Sequence, residues 1–334
     1  MVPLKRNTPA YSSGEFFKAF EFMDGLMSVP EVQTEKLVTD ISRLKEERKA
    51  IILVHNYQLG EVQDIADFVG DSLDLSRQAA KTDAEVIVFC GVHFMAETAK
   101  ILSPDKIVLM PDLNASCAMA NMITLRQLKE MKKRYPDAVV VSYVNTKAEI
   151  KAESDYCCTS ANAVKVAQSI PEDKEILFIP DKYLGDYVSK QAHRKMILWE
   201  GFCPTHRRIL AEDILKKKAQ YPKAEVLVHP ECTPDVIAMA DKVLSTSGIC
   251  RQAKESNSEE FIIGTEIGIL HRLKKENPQK QFYPASILTE CSNMKLNNLE
   301  KILWSLEDMV YPIEVPPDIA QRAKRSIDRM LEIV

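Results

Sequence analysis

Three stretches of the chain share one pattern: "ILVHNYQLGEVQDIADFVGDS" (residues 52–72), "VVSYVNTKAEIKAESDYCCTS" (140–160) and "VLVHPECTPDVIAMADKVLST" (226–246). Each opens with an apolar run typical of a buried strand, passes through a polar strand end and a short helical stretch, and closes on a hydroxyl residue. The strands end at His55, Tyr143 and His229. Two positions later come Tyr57, Asn145 and Glu231, and 12 positions later come the aspartates Asp67, Asp155 and Asp241. The hydroxyl residues Ser72, Ser160 and Thr246 follow the strand ends by 17 positions. This spacing predicts three copies of one structural unit.

Two further strands are expected in each copy. The second comes from "EVIVFCG" (85–91), "EILFIPD" (175–181) and "EFIIGTE" (260–266), and the third from "KIVLMPD" (106–112), "KMILWEG" (195–201) and "QFYPAS" (281–286). A cysteine follows each third strand: Cys117, Cys203 and Cys291 lie 62, 60 and 62 residues after the first strand end of their copies (117 − 55, 203 − 143, 291 − 229).

Short Val- and Ile-rich strands that alternate with helices are typical of parallel βαβ units. The sequence therefore predicts an α/β protein of three homologous αβα domains, each with a small parallel sheet, arranged with pseudo-threefold symmetry. "DFVGDS", "DYCCTS" and "DKVLST" are candidates for a short fourth strand. We place an N-terminal extension at 1–35, the repeats at 36–118, 119–206 and 207–304, and a C-terminal helix packing on the core at 305–334.

Composition excludes several classes of protein. The chain has 334 residues with 44 Lys plus Arg against 48 Asp plus Glu, a formal charge of −4, and no long basic stripe, so no nucleic-acid partner is expected. No apolar run approaches the roughly 18 residues that a membrane span needs, so we expect no membrane partner and a cytoplasmic location. The eight cysteines include no C-x-x-C pair, which argues against zinc ribbons and thioredoxin-like chemistry.

Ligands of open parallel sheets bind at the carboxyl ends of the strands, where the repeat places its polar residues and matched cysteines. Three thiolates meeting at an axis would bind a metal centre. Either zinc takes His206 as a fourth ligand, or a [4Fe–4S] cluster keeps one iron open as a Lewis acid. The threefold set favours the cluster, because His206 has no counterpart in the other repeats. A zinc lyase or hydrolase and a non-catalytic sugar- or anion-binding protein remain the alternatives.

The other matched residues suit a pocket for a small polyanionic substrate. Ser72, Ser160 and Thr246 each precede a helical stretch, where a hydroxyl and free backbone N–H groups can bind a carboxylate or phosphate. Plain helix capping is the alternative for these three residues. His55, His229, Tyr57, Tyr143 and Glu231 are candidate proton donors and acceptors, and Asn145 can orient a carbonyl or imine. Cys90, Cys157, Cys158 and Cys250 are expected to be core thiols, with Cys232 beside the pocket.

The motifs "HNYQ", "DIADFVGDSL", "GVHFMAETAKIL", "CTSANAV", "HPEC" and "GTEIG" together resemble the quinolinate synthase family over roughly residues 50–305. The resemblance implies three αβα domains around a central [4Fe–4S] cluster. It also implies the condensation of iminoaspartate with dihydroxyacetone phosphate to give quinolinate, phosphate and water in NAD biosynthesis. A functional link to an L-aspartate oxidase, as the source of iminoaspartate, would follow.

Carried over position by position, the cluster ligands are Cys117, Cys203 and Cys291. The implied catalytic residues are Glu231, Tyr57, Tyr143, His229 and His206, and the implied substrate-binding residues are His55, Ser72, Asn145, Ser160 and Thr246. Where some members of the family carry further cysteines beside the last ligand, this chain has "TECSNM", so a disulfide switch is not expected here.

Overall fold

The computed structural model describes residues 31–333. Residues 1–30, most of the predicted N-terminal extension, lie outside the described residues. The chain forms three units in sequence, each built on a four-stranded sheet whose strands are all parallel. The predicted fold class is therefore confirmed, including the short fourth strand of each unit.

The first unit runs α1 (Glu31–Glu47), β1 (Ala50–His55), α2 (Gly60–Asp64), β2 (Phe68–Gly70), α3 (Ser72–Lys81), β3 (Val86–Cys90), α4 (His93–Leu102) and β4 (Ile107–Leu109). The second runs α5 (Leu125–Arg134), β5 (Val139–Tyr143), α6 (Ala148–Lys151), β6 (Tyr156–Cys158), α7 (Ala163–Ser169), β7 (Ile176–Ile179), α8 (Lys182–Gln191) and β8 (Met196–Leu198). The third runs α9 (Ala211–Gln220), β9 (Glu225–Val228), α10 (Pro234–Ile237), β10 (Lys242–Val243), α11 (Thr246–Glu255), β11 (Glu260–Gly264), α12 (Ile269–Glu276) and β12 (Gln281–Pro284).

The strand order is the same in every sheet: the short strand, the first strand, then the two later strands, as in β2-β1-β3-β4. Equivalent strands also pair in equivalent register, since Val54 lies opposite Cys90, Ser142 opposite Ile179 and Val228 opposite Gly264. The first strand is thus central in each sheet and buried along most of its length. Helices cover both faces of such a sheet, which explains strands that are apolar throughout rather than alternating.

The aspartates repeated 12 positions after the first strand end have a structural role. The carboxylates of Asp67, Asp155 and Asp241 each accept the backbone N–H of a residue in the central strand at 2.8 Å. Their own backbone N–H groups donate to the carbonyl of that same residue. Each aspartate therefore ties the start of the short strand to the central strand, and none of the three lines the cavity described below.

The units share a core. One apolar cluster contains side chains from all three sheets, and each unit adds a smaller cluster of its own. The last two helices also join the units: α13 (Leu299–Asp308) packs on α1 and β3 of the first unit, and α14 (Pro317–Glu332) packs on α6 and β6 of the second. The domain boundary placed after residue 304 falls inside α13.

No helix in the part of the chain that the structure describes is long and apolar enough to span a membrane.

Candidate functional site

A cavity of about 220 Å³ lies where the carboxyl ends of the three central strands meet. Among the residues that line it are the thirteen that the sequence singled out, namely His55, Tyr57, Ser72, Cys117, Tyr143, Asn145, Ser160, Cys203, His206, His229, Glu231, Thr246 and Cys291. Residues separated by as many as 236 positions (291 − 55) therefore meet because each unit turns the same strand ends toward one point.

The three repeated hydroxyls are not helix caps. The side chain of Asp71 caps α3 and that of Ser245 caps α11, so Ser72 and Thr246 each come one residue after the cap. In the second unit the hydroxyl of Thr159, also one residue earlier, accepts the backbone N–H of Ala161. The preceding residue therefore caps the helix in the first and third units, and in the second unit α7 begins three residues after Ser160, with Asn162 at its N-cap position. All three repeated hydroxyls are left on the cavity wall.

The two strand-end histidines are buried and held in one tautomer. The backbone N–H of Tyr57 donates to Nδ1 of His55 at 3.2 Å, and that of Glu231 donates to Nδ1 of His229 at 3.3 Å. Because Nδ1 is an acceptor in both, the proton of the neutral ring is on Nε2. His229 uses this Nε2–H to donate to Ser160 at 3.1 Å.

Burial lowers the pKa of both His55 and His229 to about 3. The Glu231 carboxylate opposes this effect at both rings, while Lys295 adds to it at His55 and His206 adds to it at His229. Both imidazoles are therefore neutral at physiological pH. Two uncharged N–H donors face the cavity from the first and third units.

Glu231 lies at the centre of a buried polar cluster. Its Oε2 is 2.7 Å from Nδ1 of His206, and Tyr143 donates a hydrogen bond to the same carboxylate. Burial alone would raise the pKa of Glu231, but the attraction of His206 and these hydrogen bonds lower it to about 2. The same burial raises the pKa of Tyr143 well above its usual value. Glu231 is therefore an ionised acceptor and Tyr143 a protonated donor.

A continuous hydrogen-bond chain leads from Tyr57 to this carboxylate. The Tyr57 hydroxyl is 2.5 Å from Oγ1 of Thr265, which is 2.8 Å from Nε2 of His206. In the tautomer that carries its proton on Nδ1, His206 can donate to Glu231 while its Nε2 accepts from Thr265, which in turn accepts from Tyr57. Each hydroxyl then uses its one proton, so the chain can pass a proton between the cavity and Glu231.

The three matched cysteines are partly exposed, whereas Cys90, Cys157, Cys158, Cys232 and Cys250 are buried. The expectation that Cys90, Cys157, Cys158 and Cys250 are core thiols is confirmed; Cys232, expected beside the pocket, packs in the core of the third unit. A 3₁₀ turn follows each matched cysteine: Met119–Asn121, His206–Arg208 and Met294–Leu296. Backbone N–H groups of these turns interact with the sulfur and oppose the rise in its pKa that burial causes.

The donor set fits a sulfur-ligated metal centre. Burial raises the pKa of Cys117 to about 12, so thiolates here need a metal cation to stabilise them. Among residues 31–333, the only three potential ligand atoms within 4.8 Å of one another belong to Cys203, His206 and Glu231. One zinc ion bound by three thiolates would bring the sulfurs to about 3.8 Å from one another. At least one pair of the three cysteine sulfurs therefore lies more than 4.8 Å apart, farther than in such a zinc site.

Five residues near the site were missed by sequence reasoning: Asp181, Arg208, Thr265, Glu266 and Lys295. Arg208 and Glu266 line the cavity, and the other three contact residues that do. Asp181 and Glu266 could have been found, since each follows the second strand of its repeat by the same number of residues. Lys295 also has a basic counterpart, since Arg207 follows Cys203 by four residues as Lys295 follows Cys291. Thr265 and Arg208 have no similar residue at the matched position of another repeat, so the pattern contained no signal for them.

Comparison with known proteins identifies the family. The family described as "Quinolinate synthetase A protein" matches residues 39–332. A quinolinate synthase of Dehalococcoides mccartyi (strain CBDB1) is 57% identical over 294 residues, which is 88% of this chain and 97% of the relative. Those of Thermodesulfovibrio yellowstonii and Methanosarcina acetivorans (quinolinate synthase 1) are 55% and 53% identical, each over 90% of this chain and 99% of the relative. The resemblance seen in the motifs is confirmed, and the chain belongs to the quinolinate synthase family of enzymes.

Proposed function

We propose that this protein condenses iminoaspartate with dihydroxyacetone phosphate to give quinolinate, phosphate and two waters, as a step of NAD biosynthesis. The names of its relatives support the product. The single observation that carries the proposal is the meeting of three repeated hydroxyls and three repeated cysteines at one small cavity. The two substrates together bring two carboxylates and one phosphate, and the three repeated hydroxyls of the cavity match these three anionic groups in number.

We propose that Cys117, Cys203 and Cys291 hold a [4Fe–4S] cluster. With three protein ligands, such a cluster supplies one open iron that can polarise a leaving hydroxyl as a Lewis acid. The spacing of the sulfurs, of which at least one pair is more than 4.8 Å apart, supports this assignment over a mononuclear zinc site, and the backbone N–H groups around them would stabilise the thiolates.

The remaining residues bind and orient the substrates. Ser72, Ser160 and Thr246 donate hydrogen bonds to carboxylate or phosphate oxygens, which the Nε2–H groups of His55 and His229 assist. Asn145 has a buried Oδ1 with no hydrogen-bond partner among the described residues, so this oxygen is free to accept the N–H of an imine or enamine. Leaving it unpaired would cost free energy, so substrate binding is favoured where it fills this site.

Tyr57, Tyr143, His206 and Glu231 move the protons that imine formation and two dehydrations require. Tyr143 and Tyr57 are protonated donors, because burial raises the pKa of both. Glu231 is the proton acceptor, and a pKa of about 2 makes it a weak one. The proton that it takes must therefore be acidified by an adjacent imine or carbonyl, and a bound dicarboxylate raises the basicity of Glu231 through like-charge repulsion.

We also propose that the protein works in the cytoplasm and receives iminoaspartate from an L-aspartate oxidase. Eight free cysteines fit a reducing compartment. An imine of this kind hydrolyses in water, so it has to be consumed soon after the oxidase has produced it.

The decisive experiment is an absorption spectrum with iron and sulfide analysis of protein purified without oxygen. We expect a brown protein with about four iron and four sulfide per chain. Cys117→Ser, Cys203→Ser and Cys291→Ser should each remove or cripple the cluster. Cys157→Ser and Cys250→Ser are matched controls, because these thiols are buried away from the cavity, and both should keep it. A colourless protein with one zinc per chain would establish the rival metal site, and full iron in any of the first three variants would refute the ligand assignment.

A further inference from the structure

The carboxylate of Glu266 lies directly behind the Cys291 loop. Glu266 comes two residues after β11, and its side chain is 0% exposed. Its Oε1 accepts the backbone N–H of Cys291 at 3.0 Å and is 3.0 Å from Nζ of Lys295, while its Oε2 accepts the backbone N–H of Gly268 at 2.7 Å. Three donors therefore converge on two buried oxygens, one of them from the backbone of a proposed cluster ligand.

Lys295 extends this contact to Tyr57. The ammonium group that pairs with Glu266 also donates to the backbone carbonyl of Tyr57. The hydroxyl at the other end of Tyr57 is held by Thr265, the residue next to Glu266. Both ends of Tyr57 and the N–H of Cys291 are thus joined through residues 265–266 and one lysine.

The backbone around this contact leaves no spare room. A Cβ on Gly268 would lie 2.5 Å from Nζ of Lys295 and 2.7 Å from the carbonyl oxygen of Tyr57. Such distances are shorter than real carbon contacts allow, so glycine is required for the lysine to reach both partners.

The second unit carries a carboxylate at the same place. Asp181 follows Ile179 by two residues, just as Glu266 follows Gly264 by two. Ile179 and Gly264 are equivalent positions, because each pairs with the same position of its central strand, Ser142 in β5 and Val228 in β9. The backbone N–H of Cys203 is among the groups that lower the pKa of Asp181. In the first unit the position is Val92, so the Cys117 loop has no such carboxylate.

We propose that Glu266 and Lys295 are positioning residues that hold the Cys291 loop at the metal centre and join it to Tyr57. The part that concerns the metal rests on the proposed function. Through these contacts the backbone N–H of Cys291, the lysine and the backbone carbonyl of Tyr57 keep fixed relative positions. The Cys117 loop of the same chain lacks this device and serves as an internal reference.

The first test uses metal-free protein and iodoacetamide, with labelling of Cys291 and Cys117 followed by mass spectrometry. In Glu266→Gln an amide NH₂ group replaces one carboxylate oxygen and faces N–H donors, so at least one of these hydrogen bonds is lost. In Lys295→Met the hydrogen bond to the backbone carbonyl of Tyr57 is lost. Both should raise the ratio of Cys291 to Cys117 labelling about tenfold, since the supporting contacts of one ligand loop are removed. Lys295→Arg keeps the charge and donors and should restore most of the parental ratio. Lys295→Met is an independent change and provides the test if Glu266→Gln does not fold.

Matched controls come from the amino ends of the strands in the same unit. Glu225 accepts hydrogen bonds from Gln252 and Ser256, and Lys280 donates to two backbone carbonyls. Glu225→Gln and Lys280→Met should leave the labelling ratio unchanged. Ratios within about twofold of the parent in both test variants, or an equal rise in the controls, would overturn the proposal.

A second readout addresses the metal. A chelator should remove iron from the reconstituted test variants about 10 to 100 times faster than from the parent and the control variants. Equal release rates would overturn the metal part of the proposal. If the parent takes up no iron and sulfide, the cluster assignment fails, and the labelling ratio still decides whether Glu266 and Lys295 position Cys291.

Discussion

Acid should destabilise this protein through His55 and His229, well above the pH at which carboxylates titrate. Each ring has a pKa of about 3 in the folded chain against 6.5 for an exposed histidine. Between these values the unfolded chain binds more protons than the folded one, so stability falls as pH falls. From about pH 7.5 to about pH 5.5, each histidine should remove about 1.4 kcal/mol, or about 3 kcal/mol together. That is a large part of the 5–15 kcal/mol typical of a folded domain.

The assay is urea unfolding of the metal-free protein at the two pH values, followed by circular dichroism. His55→Asn and His229→Asn should each reduce the pH-dependent loss by about half, and the double variant should abolish most of it. His193→Asn is the matched control, because His193 is exposed and asparagine tolerates its left-handed backbone, so the loss should stay parental. A double variant that loses as much stability as the parent between the two pH values would refute the assignment of buried neutral rings.

Two predictions concern catalysis. Glu231→Gln should keep iron, sulfide and substrate binding yet slow single-turnover quinolinate formation about a hundredfold or more, because the ionised acceptor is lost; near-parental turnover at matched cluster content would transfer the role to His229 or His206. Ser72→Ala, Ser160→Ala and Thr246→Val should each lower kcat/KM by the equivalent of about 1 to 3 kcal/mol without changing cluster content, since a charged substrate group loses a donor. Ser245→Ala is the control: it removes a helix cap, so it should lower thermal stability but leave kcat/KM near the parental value. Normal kinetics in all three hydroxyl variants would show that Ser72, Ser160 and Thr246 do not bind the substrates.

Much of this protein follows from its repeat. A period that returns strand ends, hydroxyls and cysteines at the same offsets predicts three parallel βαβ units, because side-chain direction and strand polarity follow from local backbone geometry. The same argument placed Cys117, Cys203 and Cys291 at equivalent points and selected twelve of the thirteen predicted site residues that line the cavity; His206 followed only from the family resemblance. The roles of the repeated residues were less predictable. Asp67, Asp155 and Asp241 match as well as the hydroxyls do, yet they tie strands together.

Only the tertiary structure decided which groups contact one another across units. The capping of α3 and α11 by Asp71 and Ser245 freed the next hydroxyl for the cavity, which spacing alone could not distinguish from capping. The chain from Tyr57 through Thr265 and His206 to Glu231 joins residues of all three units, and two of its members have no repeat counterpart. Charges were equally hidden, because the pKa of Glu231 and of the two histidines depends on burial and on neighbours far away in sequence. Local sequence determines the elements and their ends, whereas desolvation and hydrogen bonding between distant side chains exist only once the three units have packed.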